Sequence, residues 1–144
     1  MERTTISHIT QVTDQIIADI NAVLDDGKIW DTHQGEKFLQ DPNTILFVAY
    51  YGDNPAAFLY GYRLQRFDSR KAEVLLYEIA VLEAYRRKGI AIALVEKLKI
   101  WAADNEADEV WVLTNKSNEG GMALYSSCGG TIEADDEQMF TFKL

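Results

Sequence analysis

The amino-acid sequence predicts a mixed α/β domain, in which helices pack on a central sheet. Two observations carry this prediction: three long apolar runs in the middle of the chain, and segments with a helical period before and after them. With 144 residues, the whole range 1–144 is expected to fold as one domain around one core. Hydrophobic residues make up 47% and charged residues 26% of the chain, which is the balance of a globular protein.

The N-terminal part predicts a strand followed by a helix. Arg3–Ile9 has the alternating β-branched pattern of a short strand, and Thr13 is placed to cap a helix. Apolar residues then recur over Asp14–Leu24 with the period of one helical face. Gly27–Gln40 mixes charges and aromatics without a period, which indicates a loop with a short helix at Glu36–Leu39.

The apolar runs in the middle of the chain predict strands. Thr44–Tyr51 and Ala56–Leu64 are separated by the turn residues Gly52–Pro55, which favour an antiparallel hairpin. The longer run Ala72–Leu82 is apolar almost without interruption, so it is expected to be buried on both faces as the central strand.

The C-terminal part predicts alternating helices and strands. Ile90–Ala103 carries an apolar stripe at helical spacing, Glu109–Thr114 is strand-like, and Asn118–Ser127 is helical. A final pair of strands is expected over Thr131–Leu144, turning around Asp135-Asp136.

Charge and composition limit the partners. Lysine and arginine number 14 against 23 acids, and the net charge of −9 disfavours nucleic acid and suits a cationic partner. The lone Cys128 excludes an intramolecular disulfide, and with only 2 histidines no structural metal site is expected. The chain lacks a signal-peptide pattern and a membrane-length apolar run, so a soluble, cytoplasmic protein without a membrane partner is expected.

One basic turn stands out in this acidic chain. Arg86, Arg87 and Lys88 follow the end of the long apolar run, and Gly89 opens the next helix. The first N–H groups of a helix lack intrahelical partners and lie at the positive end of its dipole, so this turn is suited to a phosphate. The alternative is a solvated basic turn beside acidic neighbours.

The pattern Arg86-x-x-Gly89-x-Ala91 resembles the acetyl-CoA signature of the Gcn5-related N-acetyltransferase (GNAT) superfamily. Asn118 and the later run Ala123–Gly129 are similar to a second motif of that family, although Gly130 stands where relatives usually have phenylalanine. The resemblance implies the GNAT fold, a central twisted mixed sheet of about six to seven strands flanked by about four helices. It also implies acetyl-CoA as cofactor. The residues expected to bind it are Ile79, Ala80, Val81, Arg86, Arg87, Lys88, Gly89, Ile90, Ala91, Asn118 and Tyr125.

Acetyl transfer to an amine needs a base, an acid and a donor to the thioester carbonyl. Glu78 is a carboxylate within an apolar strand, where burial would raise its pKa toward that of a base; the alternative is a structural ion pair. By the resemblance, Tyr125 is the acid that protonates the leaving thiolate, and a backbone N–H near Val81 meets the carbonyl oxygen. The alternative for Tyr125 is an aromatic core position.

The segments Phe67–Val74 and Tyr77–Val81 are similar to those of the aminoglycoside 3-N-acetyltransferases of this superfamily, which are resistance-type enzymes. Aminoglycosides are polycations, so carboxylates are expected around the acceptor site. The candidates besides Glu78 are Asp31, Glu36, Asp135, Asp136 and Glu137, each of which could equally be ordinary acidic surface.

Other functions fit the same residues. An acetyltransferase for a polyamine, another small amine or a peptide amine would share every cofactor residue, and a non-catalytic acyl-CoA sensor would not need Glu78 and Tyr125 together. The resemblance also implies a homodimer, with the aromatics Trp30, Tyr50 and Tyr60, taken as exposed, and the C-terminal strands as candidate interface.

Overall fold

A computed structural model describes residues 2–24 and 27–144. The chain divides into two compact units, residues 1–113 and residues 114–144. The elements of the first unit are β1 (Thr4–His8), α1 (Asp14–Val23), α2 (Thr32–Gln40), β2 (Thr44–Tyr51), β3 (Asn54–Leu64), β4 (Ala72–Val81), a 3₁₀ turn (Glu83–Tyr85), α3 (Ile90–Asp104) and β5 (Ala107–Trp111). The second unit contains α4 (Glu119–Ser127).

The strands form one mixed sheet in the order β1-β2-β3-β4-β5. Strands β1 to β4 are antiparallel neighbours, and β5 pairs parallel to β4 after the crossover through α3. The mixed α/β class and the four helices agree with the prediction. The sheet of the described residues has five strands, fewer than the predicted six to seven, and its middle strand is β3 rather than the expected Ala72–Leu82.

The core lies on both sides of this sheet. Helix α1 packs against β3, where Ile20 contributes to a buried cluster with Leu46 and Phe58. Helix α3 packs against β3, β4 and β5, and its apolar stripe is buried, as predicted. The predicted members Ile90, Leu94 and Leu98 are buried, whereas the predicted Trp101 is only partly buried and Ala102 is buried beside it. Nowhere in the described part of the chain is a helix long and apolar enough to cross a bilayer.

The helix predicted at Glu36–Leu39 is present but longer than expected, so the predicted loop is wrong over residues 32–35 and at Gln40. Helix α2 spans Thr32–Gln40 instead of Glu36–Leu39, because Asp31 caps it by accepting a hydrogen bond from the Gln34 backbone N–H at 2.8 Å. Thr32 adds a second fixed point, donating from its hydroxyl to Asp14 at 2.8 Å. The capping signal was present in the sequence, but the mixed apolar pattern concealed it.

The C-terminal strand predictions also need correction. Strand β5 ends at Trp111, so the predicted strand Glu109–Thr114 is displaced toward the C-terminus. The strand pair predicted over Thr131–Leu144 is wrong, because this segment contains no strand. A strand needs a hydrogen-bonded neighbour, and period-2 patterning alone does not supply one.

Candidate functional site

Strand β4 contains an extra residue opposite β3. In the β3–β4 register Tyr60 lies opposite Glu78 and Gly61 lies opposite Leu76, so Tyr77 has no partner. Such a β-bulge reverses the alternation of side chains along the strand. Glu78 therefore shares a face with Tyr60, whereas uninterrupted alternation would have placed it on the same side as the buried Leu76.

Gly61 is required for this bulge. A Cβ atom at Gly61 would collide with the backbone carbonyl oxygen of Leu75 on β4. The absence of a side chain at Gly61 thus allows the two backbones to approach where the register shifts.

The bulge also corrects the expectation that this strand is buried on both faces. The side chain of Tyr77 is 60% exposed, and Glu78 is only partly buried. The local chemistry of the strand is therefore that of a site open to solvent, not of a core strand.

Five aromatic side chains lie at the bulge of β4 and are together called the aromatic face: Trp30, Phe38, Tyr60, Tyr62 and Tyr77. Tyr60 lies at its centre, with ring centroids 5.1 Å from Trp30, 5.5 Å from Phe38 and 5.3 Å from Tyr77. Tyr77 also makes an edge contact with Tyr62 at 5.6 Å. The predicted exposure of Trp30, Tyr50 and Tyr60 is wrong, because all three are partly buried against the core.

Glu78 and Tyr60 interact across the two strands. Burial raises the pKa of Tyr60, and the charge of Glu78 raises it further. The Tyr60 phenol therefore remains protonated near neutral pH and is a permanent donor beside the carboxylate.

The sheet opens beside the same stretch of β4. Pairing with β5 ends at Leu75 and Trp111, so among the described strands the later residues of β4 pair only with β3. Ile79, Ala80 and Val81 are partly buried along this edge. Among the described strands their backbone groups on that side have no partner; the Val81 carbonyl accepts from Arg86, and the other groups are available to an extended ligand.

The basic turn leads from this edge to helix α3. Arg87 (φ 63°) and Gly89 (φ 77°) both adopt left-handed backbone conformations, and Gly89 precedes α3 as an N-cap residue without a capping side chain. Left-handed residues in such a turn direct successive N–H groups toward one concavity, which binds anions. Arg86 is held by its Nε, which donates to the Val81 carbonyl at 3.1 Å.

The remaining residues of the turn are ordered by aromatic contacts. The Lys88 ammonium lies 4.9 Å from the centroid of the Tyr51 ring, and Tyr51 contacts Tyr85 at 5.5 Å. Ile90 is buried and Ala91 partly buried, so they anchor the first turn of α3 while Arg86, Arg87, Lys88 and Gly89 stay exposed.

The other predicted cofactor residues, Asn118 and Tyr125, lie in the second unit. Asn118 caps α4 by accepting from the Gly121 N–H at 3.1 Å, and its amide donates to Thr114 at 3.0 Å. Tyr125 is partly buried on α4, and burial, followed by the Cys128 charge, raises the pKa of its phenol. Tyr125 therefore holds its proton at neutral pH, as an acid must.

The predicted substrate carboxylates are distributed over both units. Asp31 is occupied as the cap of α2, and Glu36 is exposed on that helix. Asp135, Asp136 and Glu137 are exposed in the segment that follows α4. Glu78 lies on the aromatic face, opposite Tyr60.

The aromatic face was missed by the sequence analysis. Tyr60 and Tyr62 are two residues apart on one strand, a spacing that places both on one face and could have indicated it. The contribution of Tyr77 could not be predicted, because it depends on the bulge.

The chain matches the model of the acetyltransferase (GNAT) family over residues 15–129. An N-alpha-acetyltransferase of Saccharolobus solfataricus is 46% identical over 57 residues, which cover 39% of this chain and 33% of that protein. That match thus spans about a third of the relative's length.

Two solved structures share the fold. The aminoglycoside acetyltransferase meta-AAC0020 from an uncultured soil metagenomic sample, solved with trehalose, has a TM-score of 0.86 at 21% identity, covering 98% of this chain and 96% of that one. The aminoglycoside N-acetyltransferase AAC(6')-Iy in complex with CoA has a TM-score of 0.81 at 20% identity, covering 99% of this chain and 96% of that one.

Proposed function

We propose that this chain, which belongs to the acetyltransferase (GNAT) family, acetylates a primary amine of an aminoglycoside. The family membership confirms the predicted class, an acetyl-CoA-dependent N-acetyltransferase. The observation that carries this proposal is Glu78, a carboxylate turned by the bulge onto an open aromatic face. A carboxylate bounded by aromatic rings binds an ammonium through both charge and cation–π attraction.

The first unit fits the cofactor. The left-handed turn at Arg87 and Gly89, with the uncapped start of α3, suits the diphosphate of acetyl-CoA. An added Cβ at Gly89 would meet no atom within 4 Å, so the turn has open space beside it. We assign the extended arm of the cofactor to the unpaired edge at Ile79, Ala80 and Val81. The resemblance to the family adds Asn118 as a proposed cofactor-binding residue.

When bound, acetyl-CoA supplies the activated acetyl group and a thiolate leaving group. Glu78 attracts the acceptor ammonium and accepts the proton that it must lose before its nitrogen can attack. A backbone N–H of the unpaired β4 edge near Val81 donates to the carbonyl oxygen, where negative charge develops. Tyr125 donates its phenolic proton to the sulfur as the C–S bond breaks, and the second proton that the nitrogen loses on becoming an amide restores the phenol.

Several features favour a polycationic acceptor. The net charge of −9 attracts polyamines of all kinds, and exposed carboxylates such as Glu36, Asp135, Asp136 and Glu137 would contact distal amines. Meta-AAC0020 has also been solved with sisomicin, which supports an aminoglycoside. The sequence resemblance favours the 3-amino group, whereas AAC(6')-Iy supports the 6'-amino group as the alternative.

A second candidate acceptor is the α-amine of a peptide. It is favoured by the 46% identity over 57 residues with an N-alpha-acetyltransferase. In this function Glu78 and Tyr125 keep their roles, and the aromatic face binds the first peptide side chains.

The test is release of free CoA from acetyl-CoA, followed with a thiol reagent, against sisomicin, kanamycin, spermidine and short peptides. We expect saturable turnover with the aminoglycosides and a fall in kcat/KM of about 10²–10⁴-fold in Glu78→Gln. Glu73→Gln is the matched control, because Glu73 is a partly buried carboxylate on the same strand. The NMR spectrum of the product identifies the acetylated nitrogen.

Each outcome distinguishes one function. Turnover confined to spermidine or peptides would contradict the aminoglycoside and keep the acetyltransferase. Binding of acetyl-CoA without turnover of any amine would favour the acyl-CoA sensor. A Tyr125→Phe variant with unchanged kcat would exclude the phenol as the acid.

A further inference from the structure

Tyr60 is the residue directly opposite Glu78 in the β3–β4 register. Side chains of directly opposed residues on an antiparallel pair point to the same face, with Cβ atoms about 5 Å apart. The bulge at Tyr77 creates this pairing, because without it Glu78 would face the other side of the sheet.

The partly buried Tyr60 ring is in contact with five other rings. Trp30, Phe38 and Tyr77 contact it at centroid distances of 5.1, 5.5 and 5.3 Å. Phe58 and Tyr62, its neighbours on the same face of β3, lie at 6.4 and 6.3 Å. A ring packed this way has few rotamers available, so its hydroxyl stays at a fixed place beside the carboxylate.

We propose that Tyr60 is a positioning residue for acetyl transfer: its hydroxyl donates a hydrogen bond to the Glu78 carboxylate and holds it, ionised, toward the acceptor amine. The proposal rests on the proposed role of Glu78 as the base. A donor to a carboxylate favours its charged form and restricts its rotation, both of which a base needs before it accepts a proton.

The surroundings of Tyr60 keep its phenol in the donor form. The titratable groups whose charges act on it are Glu78 and Tyr77 on β4 and Tyr62 on β3. Burial and these neighbours all raise the pKa of Tyr60, so the hydroxyl keeps its proton throughout the working range of an enzyme.

The test compares Tyr60→Phe with Tyr62→Phe by the pH dependence of kcat/KM. Both changes keep a ring on the aromatic face, but the pKa of Tyr62 is raised by burial, Tyr77 and Asp41, without a contribution from Glu78. We expect Tyr60→Phe to lower kcat/KM about tenfold. The acidic limb of the Tyr60→Phe profile should move to higher pH, because the carboxylate loses a donor to its charged form.

Three results would overturn the proposal. They are an unmoved acidic limb in Tyr60→Phe, an equal movement in Tyr62→Phe, or a movement that persists when Glu78→Gln is also present. If Tyr60 had only a structural role, Tyr60→Phe would lower kcat/KM equally at every pH, and the acidic limb of the pH profile would not move.

A second readout does not depend on activity. The side-chain carboxyl of Glu78 can be followed by ¹³C NMR in protein labelled at glutamate, with its signal assigned by its loss in Glu78→Gln. We expect its titration to move to higher pH in Tyr60→Phe but not in Tyr62→Phe. If Glu78→Gln retains full activity and the Glu78 signal still moves in Tyr60→Phe, Glu78 is not the base but the hydrogen bond is present. If Glu78→Gln loses activity and the signal does not move in Tyr60→Phe, Glu78 remains the base and only the role of Tyr60 is rejected.

Discussion

Buried phenols couple the stability of the first unit to alkaline pH. Burial raises the pKa of Tyr60 and Tyr62 above the ordinary value of 10.0. At pH values between 10.0 and the higher pKa of the folded state, the folded chain keeps phenolic protons that the unfolded chain has lost. The free energy of unfolding is therefore intact below about pH 10 and falls as pH rises further.

We expect this fall to be at most about 1 kcal/mol per phenol between about pH 10 and 11, because both side chains are partly screened by solvent. Urea unfolding at several pH values measures it. Tyr60→Phe should flatten the fall, whereas Tyr85→Phe, at a ring that contacts Tyr51 and not the aromatic face, serves as control. An unchanged slope in Tyr60→Phe would contradict the burial argument.

The residues predicted from sequence were those with a local signal. The turn Arg86–Ala91 could be identified because its basic residues, its glycine and the following helix are contiguous, and the structure gives Gly89 the left-handed conformation that such a turn uses. Tyr60 could not be identified in the same way, because its role depends on a partner in another strand.

The prediction of helices and strands was also limited to segments with a local sequence pattern. Periodicity located β2, β4 and α3 within a residue or two, since their apolar patterns are long. It could not locate the bulge in β4, because alternation contains no signal for one added residue. The sole sequence feature at that point is Gly61 on the opposite strand.

Gly61 therefore provides the test of the bulge. In Gly61→Ala the new methyl group meets the Leu75 carbonyl, and the strands must separate or change register. We expect a loss of about 1–3 kcal/mol in unfolding free energy. A further fall in kcat/KM of at least about tenfold is expected in the folded fraction, because Glu78 is displaced.

Gly120→Ala is the matched control for that change. At Gly120 in α4 the added Cβ would meet only Asn118 Oδ1 at 4.0 Å, so stability should be unchanged or rise by up to about 1 kcal/mol. Chemical denaturation and the CoA-release assay measure both variants. A Gly61→Ala protein with native stability and activity would show that the bulge does not position Glu78.

At the scale of the whole molecule, the apolar surface is unevenly distributed. Large side chains between 68% and 121% exposed are concentrated in the segment after α4: Ile132, Met139, Phe140, Phe142 and Leu144. The alternation Phe140, Phe142, Leu144 is that of a strand face without a neighbour.

The cytoplasmic location stays a prediction, as does the single-domain organisation.

We propose that this segment forms the interface of the predicted homodimer, since a monomer would leave its phenylalanines in water. Paired with the same segment of a second copy, it would bury both phenylalanines and satisfy its backbone as a strand.

Light scattering after gel filtration should give twice the chain mass for the wild type and the chain mass for Phe140→Ser/Phe142→Ser. Thr141→Ser, a polar change between them, should remain dimeric. A wild-type protein with the mass of one chain at micromolar concentration would refute the homodimer, and a dimeric double variant would place its interface elsewhere.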